Sequence, residues 1–260
     1  MLGKLLKYDI KAQMKIALPS FGVALMLAGV CKVTLMLGFF ESDNLWLSIP
    51  STMLLIACVL SLFAITIIAF VCSIIYFYKN ILGDEGYLMF TLPVSPTKIL
   101  LSKLFSAVLW IVSSIALCVF SGIFLLGADF QMIYSSEDIG IITPLLAVIL
   151  VLAMLFGIVC SIIIMYVSMS VGPHILSNRL AGSIVAYIAI TFGMQVIATA
   201  TLIISGIAAF NAGIVDVAAS TSPYTVVLTI FSVMLVIEIL LSTIGFLVTR
   251  HFLCKKLNLA

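Results

Sequence analysis

Residues 50–77 read PSTMLLIACVLSLFAITIIAFVCSIIYF, and none of these 28 side chains carries a charge. A helix needs about 20 predominantly apolar residues to cross the roughly 30 Å of hydrocarbon in a bilayer. The few polar groups in the stretch are hydroxyls and thiols, which membrane helices tolerate because a neighbouring carbonyl or helix accepts their hydrogen bonds. The stretch therefore predicts a membrane-spanning helix.

The rest of the chain repeats this pattern. Hydrophobic residues make up 64% of it and charged residues 8%, and its mean hydropathy is +1.39. Soluble domains have a far larger charged fraction, about 25%. The predicted fold class is therefore all-α integral membrane, with a single transmembrane domain over residues 1–260. Its six predicted spans are residues 16–40, 50–77, 99–127, 144–171, 182–210 and 223–248.

The charged residues alternate in sign from one connection to the next. Eleven of the twelve Lys and Arg side chains lie at the N-terminus, after the second run, after the fourth run and at the C-terminus. Because short loops rich in Lys and Arg are retained in the cytoplasm, both termini are predicted to be cytoplasmic. The three other connections contain no Lys or Arg, and their acids are Glu41, Asp43, Asp129, Glu137, Asp138 and Asp216.

Residues 1–15 have the pattern of an amphipathic helix. An apolar stripe at helical spacing lies opposite a stripe of lysines. Such a helix, joined directly to a span, is expected to lie in the inner interface with its lysines toward the lipid headgroups. The alternative is that residues 1–15 extend the first span into the cytoplasm. The lysines are Lys4, Lys7, Lys11 and Lys15.

The outer connection at residues 211–222 is unusually apolar. In the stretch 206–219, mostly small or apolar residues surround Asn211 and Asp216. We expect a short re-entrant or interfacial segment, which at membrane depth requires protein or a cavity around its irregular backbone. A plain surface loop is the alternative.

The inner connection at residues 78–98 combines two unlike features. Gly83 and Gly86 bracket Asp84 and Glu85, which suits a tight turn into a short helix, since carboxylates favour a helix N-terminus. The apolar run at residues 87–92 follows, where water would surround it unless something covers it. Exposed apolar patches of this kind usually mark a binding surface. We therefore predict docking to another protein, with a solvated turn as the alternative.

Three short motifs frame this loop and the span after it. They are Gly83-Asp84-Glu85-Gly86-Tyr87, Phe90-Thr91-Leu92-Pro93, and Leu101-Ser102-Lys103 followed by Trp110. Together with the order of the elements, they resemble the type-2 ATP-binding-cassette (ABC) exporter permeases, in particular the small six-helix subunits of Gram-positive bacteria.

The resemblance implies both a function and partners. In such permeases the inner loop is a coupling helix seated in a cleft of a separate ATPase subunit, which binds ATP and Mg and drives alternating access. The family pairs two permeases, as a homodimer or a heterodimer, in the bacterial cytoplasmic membrane. The residues implied at the ATPase contact are Asp84, Glu85, Gly86, Tyr87 and Phe90.

The sequence itself requires such a partner if transport is active, because it contains no GxxxxGK[ST] phosphate loop. It also contains no HExxH or GxSxG motif, and neither His174 nor His251 has a metal-binding partner at the usual spacing. We therefore expect a subunit that is not itself an enzyme and that binds no metal or cofactor of its own.

Two charged residues lie well inside the predicted spans, Lys32 and Glu238. Ionisable groups at membrane depth are costly and are functional candidates. Lys32 is expected either to extend toward the outer interface or to pair with Glu238, and Glu238 either bonds a neighbouring helix or lies on the transport route. Gln195 is a further polar candidate. The other interior polar groups are mainly hydroxyls, which favours an amphipathic or hydrophobic cargo such as a peptide, lipid or drug.

Two other classes of function compete with an exporter permease. A secondary transporter would use Glu238 to couple its cargo to protons. A membrane subunit that only anchors or senses would bind the ATPase without any turnover of cargo.

Overall fold

The computed structural model describes residues 2–39, 45–83, 86, 94–126, 142–176, 178–211 and 224–255, and the regular elements among them are helical. Six long helices are present, and each is long and apolar enough to cross a membrane. The predicted all-helical architecture is confirmed for the described residues, with six helices that could span a membrane. The helices are α1 (Leu2–Met36), α2 (Leu45–Phe77), α3 (Pro96–Leu126), α4 (Ile142–Ile175), α5 (Arg179–Asn211) and α6 (Tyr224–Lys255).

The chain divides into two compact units. The first unit comprises residues 1–77 and 101–136, and the second comprises residues 78–100 and 137–260. The first therefore holds α1, α2 and most of α3. The second holds the inner connection together with α4, α5 and α6.

In the first unit, α1 and α3 run parallel to each other. Three hydrogen bonds join Gln13 to Ser106, Lys32 to the Leu125 carbonyl, and Ser102 to Asp9, and each links positions 93 apart in sequence. A constant offset over this length requires two helices that rise in the same direction. Helix α2 packs against α1. It meets α3 where Cys118 donates to the Leu62 carbonyl at 3.3 Å.

Helix α1 is continuous, whereas a separate interfacial helix was predicted over residues 1–15. Its buried side chains are spaced three, four or seven residues apart and so form one seam, and a break near residue 15 would turn part of that seam away from its neighbours. Pro19 lies inside the helix, and its missing N–H is a defect that membrane helices tolerate. Residues 2–15 thus form one continuous helix with the first predicted span. The seam consists of Asp9, Gln13, Ala17, Ala24, Ala28 and Cys31.

A glycine cap ends α1. Gly38 has a φ of 68°, which is the left-handed conformation that side chains with a Cβ disfavour. The Gly38 amide donates to the Leu35 carbonyl at 3.1 Å, and the Phe39 amide donates to the Thr34 carbonyl at 3.4 Å. This pair of bonds satisfies two carbonyls of the last helical turn and so terminates the helix.

In the second unit, α4 packs against both α5 and α6. Its contact with α5 depends on backbones that nearly touch: a Cβ added to Gly182 would lie 2.1 Å from the Gly172 carbonyl oxygen, and one added to Gly172 would lie 2.4 Å from the Ser183 nitrogen. Pro173 lies near the end of α4 and is followed by only two further helical residues.

Three sets of predicted features lie outside the described residues. One is most of the inner loop motif, including Asp84, Glu85, Tyr87 and Phe90. Another comprises the acidic outer connections at residues 40–44 and 127–141. The third is nearly all of the outer segment 211–222, of which only Asn211 is described.

Candidate functional site

A buried ion pair joins the N-terminal part of α1 to the start of α3. Lys103 Nζ donates a hydrogen bond to Asp9 Oδ1, and Ser102 Oγ donates to Asp9 Oδ2. The Lys103 side chain is 2% exposed and the Asp9 side chain 6% exposed. Both carboxylate oxygens are thus engaged in a site that water barely reaches.

Each of the two charged groups is buried so deeply that it needs the other as its partner. Removing a carboxylate or an ammonium group from water costs several kcal/mol, and only close pairing with further hydrogen bonds offsets that cost. Ser102 supplies such a bond to Asp9. The geometry therefore holds α1 and α3 in one register, since any slip would leave a buried charge unpaired.

Helix α2 also contributes to this site. Lys103 Nζ lies 4.9 Å from the centroid of the Tyr76 ring, which is within the range of a cation–π contact. Tyr76 is the second-last residue of α2. The group of Asp9, Ser102, Lys103 and Tyr76, called the Asp9–Lys103 cluster below, therefore joins all three helices of the first unit.

A second polar tie lies one helical turn farther along. Gln13 Nε2 donates to Ser106 Oγ at 3.4 Å, and Ser106 Oγ donates to the Lys103 carbonyl at 3.0 Å. Gln13 and Ser106 are 4% and 0% exposed, respectively. The tie repeats the spacing of the ion pair and extends the fixed contact between α1 and α3.

The described ends of the inner connection are closely structured. A π-helical turn, Tyr78–Leu82, continues α2, and the Gly83 amide donates to the Tyr78 carbonyl at 2.9 Å. Gly86 is buried, and a Cβ added to it would lie 2.4 Å from the Ile81 carbonyl oxygen. A Cβ added to Gly83 would lie 2.8 Å from the Lys79 carbonyl oxygen, so both glycines permit a close approach of the backbone.

The other end of the connection begins α3. The carbonyl of Ser95 accepts a hydrogen bond from the Lys98 amide at 2.9 Å, and Pro96 is the first residue of the helix. Proline suits that position because its missing N–H would have no helical partner there. The Asp9–Lys103 cluster thus holds both α2 and α3 close to the points where the inner connection leaves and returns.

Lys32 is bonded to the C-terminal end of α3. Its Nζ donates to the Leu125 carbonyl at 3.1 Å, one residue before that helix ends. Carbonyls in a last helical turn have no intrahelical donor and carry partial negative charge. The bond therefore places the Lys32 ammonium group at the C-terminal end of α3.

Glu238 lies in the second unit, against α4. A Cβ added to Gly157 would lie 3.5 Å from Glu238 Oε1, so the carboxyl group packs over a glycine. Glu238 Oε2 is buried and has no hydrogen-bond partner among the described residues. The Glu238 carboxyl group therefore packs against α4 and keeps one oxygen without a hydrogen-bond partner among the described residues.

The other predicted residues lie on exposed faces. Gln195 is exposed on α5, and no residue of that helix from 187 to 207 is buried. The predicted lysine stripe of α1 is exposed as well, at Lys4, Lys7, Lys11 and Lys15. The lysines belong to the first unit and Gln195 belongs to the second.

Sequence reasoning missed Asp9 as a site residue and treated Lys103 as a topology signal. A usable signal was present: Asp9 is the only acid in the first 40 residues, and it begins the seam that continues through Gln13 and Ala17. A lone carboxylate on the packing face of a membrane helix needs a buried cation.

Within the described part of the chain, no group of three or more His, Cys, Asp or Glu side chains is arranged to hold a metal ion. Comparison with known proteins adds no assignment, since no protein-family model, no curated protein and no solved structure matches this chain.

Proposed function

We propose that the chain is the transmembrane permease subunit of an ABC exporter in a bacterial cytoplasmic membrane, moved by a separate ATPase that binds ATP and Mg. The observation that carries the proposal is the Asp9–Lys103 cluster, which ties α1 to the two helices that the inner connection joins. A loop that receives force from a partner needs such a rigid attachment. The loop motif at residues 83–93 supplies the predicted contact.

The mechanism follows from this connectivity. Closure of the ATPase subunits pushes the inner loop, which displaces the end of α2 and the start of α3. Because Lys103 is paired with Asp9, α1 moves with them as one body rather than sliding. Packed interfaces of this kind switch between discrete arrangements, as alternating access requires.

The exposed face of α5 supports pairing with a second permease. An amide such as that of Gln195 is poorly solvated by hydrocarbon, and this side chain is exposed in the single chain. Coverage by a second permease would remove that cost. Both a homodimer and a heterodimer would cover the Gln195 amide in this way. For the cargo, an amphipathic or hydrophobic molecule suits the hydroxyl-rich helices.

The test is purification of the tagged chain from its native membrane in mild detergent, followed by identification of co-purifying proteins and an assay of ATP hydrolysis. We expect a stoichiometric ATPase. The double variant Glu85→Ala/Tyr87→Ala should lose the ATPase or its coupling to transport while the permease still folds.

The matched control is Tyr134→Ala/Glu137→Ala, which removes the same two side-chain types from a loop predicted to be outside. It should retain the ATPase. Normal coupled transport in the Glu85→Ala/Tyr87→Ala variant, or a lone chain that never binds an ATPase, would refute the proposal.

A second candidate function rests on Glu238. Its buried oxygen without a partner suits a carboxyl group that takes up and releases a proton, as in a proton-coupled secondary transporter. That function predicts transport that stops when the proton gradient is collapsed, ignores ATP depletion, and is lost in Glu238→Gln. Transport that continues without a proton gradient would exclude it.

A further inference from the structure

Three polar side chains lie on one exposed face of α5. In residues 187–207 of this helix, half-buried positions recur every three or four residues, at 187, 190, 194, 198, 201 and 205. These positions mark the face that packs within the second unit. The exposed polar residues of the same stretch lie beside that face, four positions apart, and are Thr191, Gln195 and Thr199.

The polar residues belong to a longer stripe along one side of the helix. At about 100° per residue, seven exposed positions from 184 to 206 fall within roughly 80° of arc. They extend over about 33 Å, close to the thickness of the hydrocarbon in a bilayer. Gln195 lies at the midpoint of this length. The seven positions, called the α5 stripe below, are Ile184, Ile188, Thr191, Gln195, Thr199, Leu202 and Gly206.

The carboxamide of Gln195 is the most polar group of the α5 stripe. It carries two N–H donors and a carbonyl acceptor, and no other described residue forms a hydrogen bond with it. Hydrocarbon cannot form these bonds, so an exposed carboxamide in the middle of a span costs free energy until a protein group pairs with it. Thr199 Oγ1 donates to the Gln195 backbone carbonyl at 2.9 Å, and its oxygen can accept a further bond. The stripe therefore offers donors and acceptors to another helix.

A different side of α5 suits contact with lipid. Exposed apolar side chains lie roughly 90° farther around the helix than the α5 stripe. They carry no group that needs a hydrogen bond, so acyl chains can cover them. These side chains are Phe192, Val196, Ile203 and Ile207. The polar and the lipid-compatible residues are thus separated on the exposed surface of the helix.

We propose that the α5 stripe is the contact between two copies of this chain, in which the two Gln195 carboxamides hydrogen-bond each other across a two-fold axis along the membrane normal. Copies that insert with the same topology place Gln195 at the same depth. Residues beside a two-fold axis meet their own equivalents. A carboxamide is complementary to itself because it both donates and accepts. An acyl chain offers no such group at that depth.

The proposal rests on the pairing of permeases proposed above and identifies the partner as a second copy of this chain. The contact itself requires neither an ATPase nor a cargo, so the two ideas can fail separately. A chain that pairs through α5 but never binds an ATPase would refute the proposed function alone. A complex with an ATPase that lacks the α5 contact would refute this inference alone.

Disulfide cross-linking in native membranes tests the contact. In a Cys254→Ser background, Thr191→Cys and Thr199→Cys are introduced one at a time, so that Gln195 is kept. Copper phenanthroline should link each variant into a product of twice the 28.0 kDa of one chain, in which an α5 peptide is joined to its own copy. The matched control is Val196→Cys, which lies at the depth of Gln195 on the apolar side and is 51% exposed. It should cross-link no more than the background chain, because a disulfide needs closely approaching Cβ atoms.

The role of the carboxamide is tested by the strength of association. Gln195→Met keeps the side-chain length without the amide and should weaken self-association about three- to tenfold. The measurement is energy transfer between donor- and acceptor-labelled copies of the full chain in proteoliposomes. Gln195→Asn keeps an amide and should retain most of the association, and the control Val196→Met should retain all of it.

Cross-linking that is equal at Val196 and at the α5 stripe means random collision and overturns the proposal. A product that joins α5 to a different protein also overturns it, since the partner is then not a second copy. Unchanged association in Gln195→Met does so as well. Because the cross-linking variants keep Gln195, the first test remains decisive if Gln195→Met fails to fold.

Discussion

Asp9 of α1 and Lys103 of α3 form a buried ion pair across 94 positions of sequence. The pair lies where α2 ends and α3 begins, with Tyr76 of α2 beside the ammonium group. Because each charge is nearly inaccessible to water, neither side chain is stable there without the other. The pair therefore decides how α1 packs, and it fixes the helices on both sides of the inner connection.

Loss of one partner should destabilise the fold more than loss of both. Asp9→Asn or Lys103→Met leaves a buried uncompensated group and should lower the free energy of unfolding by about 3 kcal/mol. The double variant Asp9→Leu/Lys103→Met should recover most of that loss. The free energy of unfolding of all three variants is measured in mixed micelles, with Lys4→Met as a control at an exposed lysine. A double variant as unstable as the sum of the single variants would contradict this account.

The same pair should matter for coupling. In an assembled transporter, Lys103→Met should leave ATP hydrolysis in place and reduce transport per ATP, because α1 no longer follows α3. Lys103→Arg keeps the charge and should retain most of the coupling. The readout is cargo moved per ATP hydrolysed in proteoliposomes. An unchanged ratio in Lys103→Met would remove the pair from the mechanism.

The close contact between α4 and α5 at Gly182 should not accept a side chain. Gly182→Ala would place the new Cβ 2.1 Å from the Gly172 carbonyl oxygen. Overpacking of this kind costs about 1–3 kcal/mol. Gly193→Ala is the control, since nothing lies within 4 Å of its Cβ. There, alanine should stabilise the helix by about 0.5–1 kcal/mol. Thermal unfolding in detergent should therefore move in opposite directions for the two variants.

Gly38 should be sensitive for a backbone reason. Its φ of 68° costs about 1–2 kcal/mol for a residue with a Cβ, although nothing lies within 4 Å of the added atom. Gly38→Ala should lower stability by that amount, and Gly29→Ala, inside α1 with equal free space, should not. Equal melting temperatures for the two variants would argue against the cap.

The charge pattern predicts which connections face the cytoplasm. In a Cys254→Ser background, Ser95→Cys should react with a membrane-impermeant thiol reagent only in opened cells, because Ser95 is exposed on the inner connection. Tyr134→Cys should react in intact cells. The five remaining cysteines lie within the long helices and should label weakly. Reversed accessibility would invert the predicted topology.

The number of helices and their approximate limits could be predicted because hydrocarbon imposes a length and a composition on every span. Helix α2 begins five residues before Pro50, the first residue of its predicted span, and α1 includes residues 2–15. These boundaries depend on neighbouring helices, since the seam that starts at Asp9 extends α1 beyond its apolar segment. The hydrophobic pattern of one segment does not reveal its contact with a neighbouring helix.

The sequence by itself determined that this is a six-helix membrane protein and which residues interrupt its apolar helices, because transfer into lipid depends on composition and length. Only the tertiary structure decided which of those residues meet. It paired Asp9 with Lys103 and directed Lys32 to the Leu125 carbonyl, and it left one buried Glu238 oxygen without a partner among the described residues. Pairings between distant positions depend on helix register and crossing, which no single segment specifies.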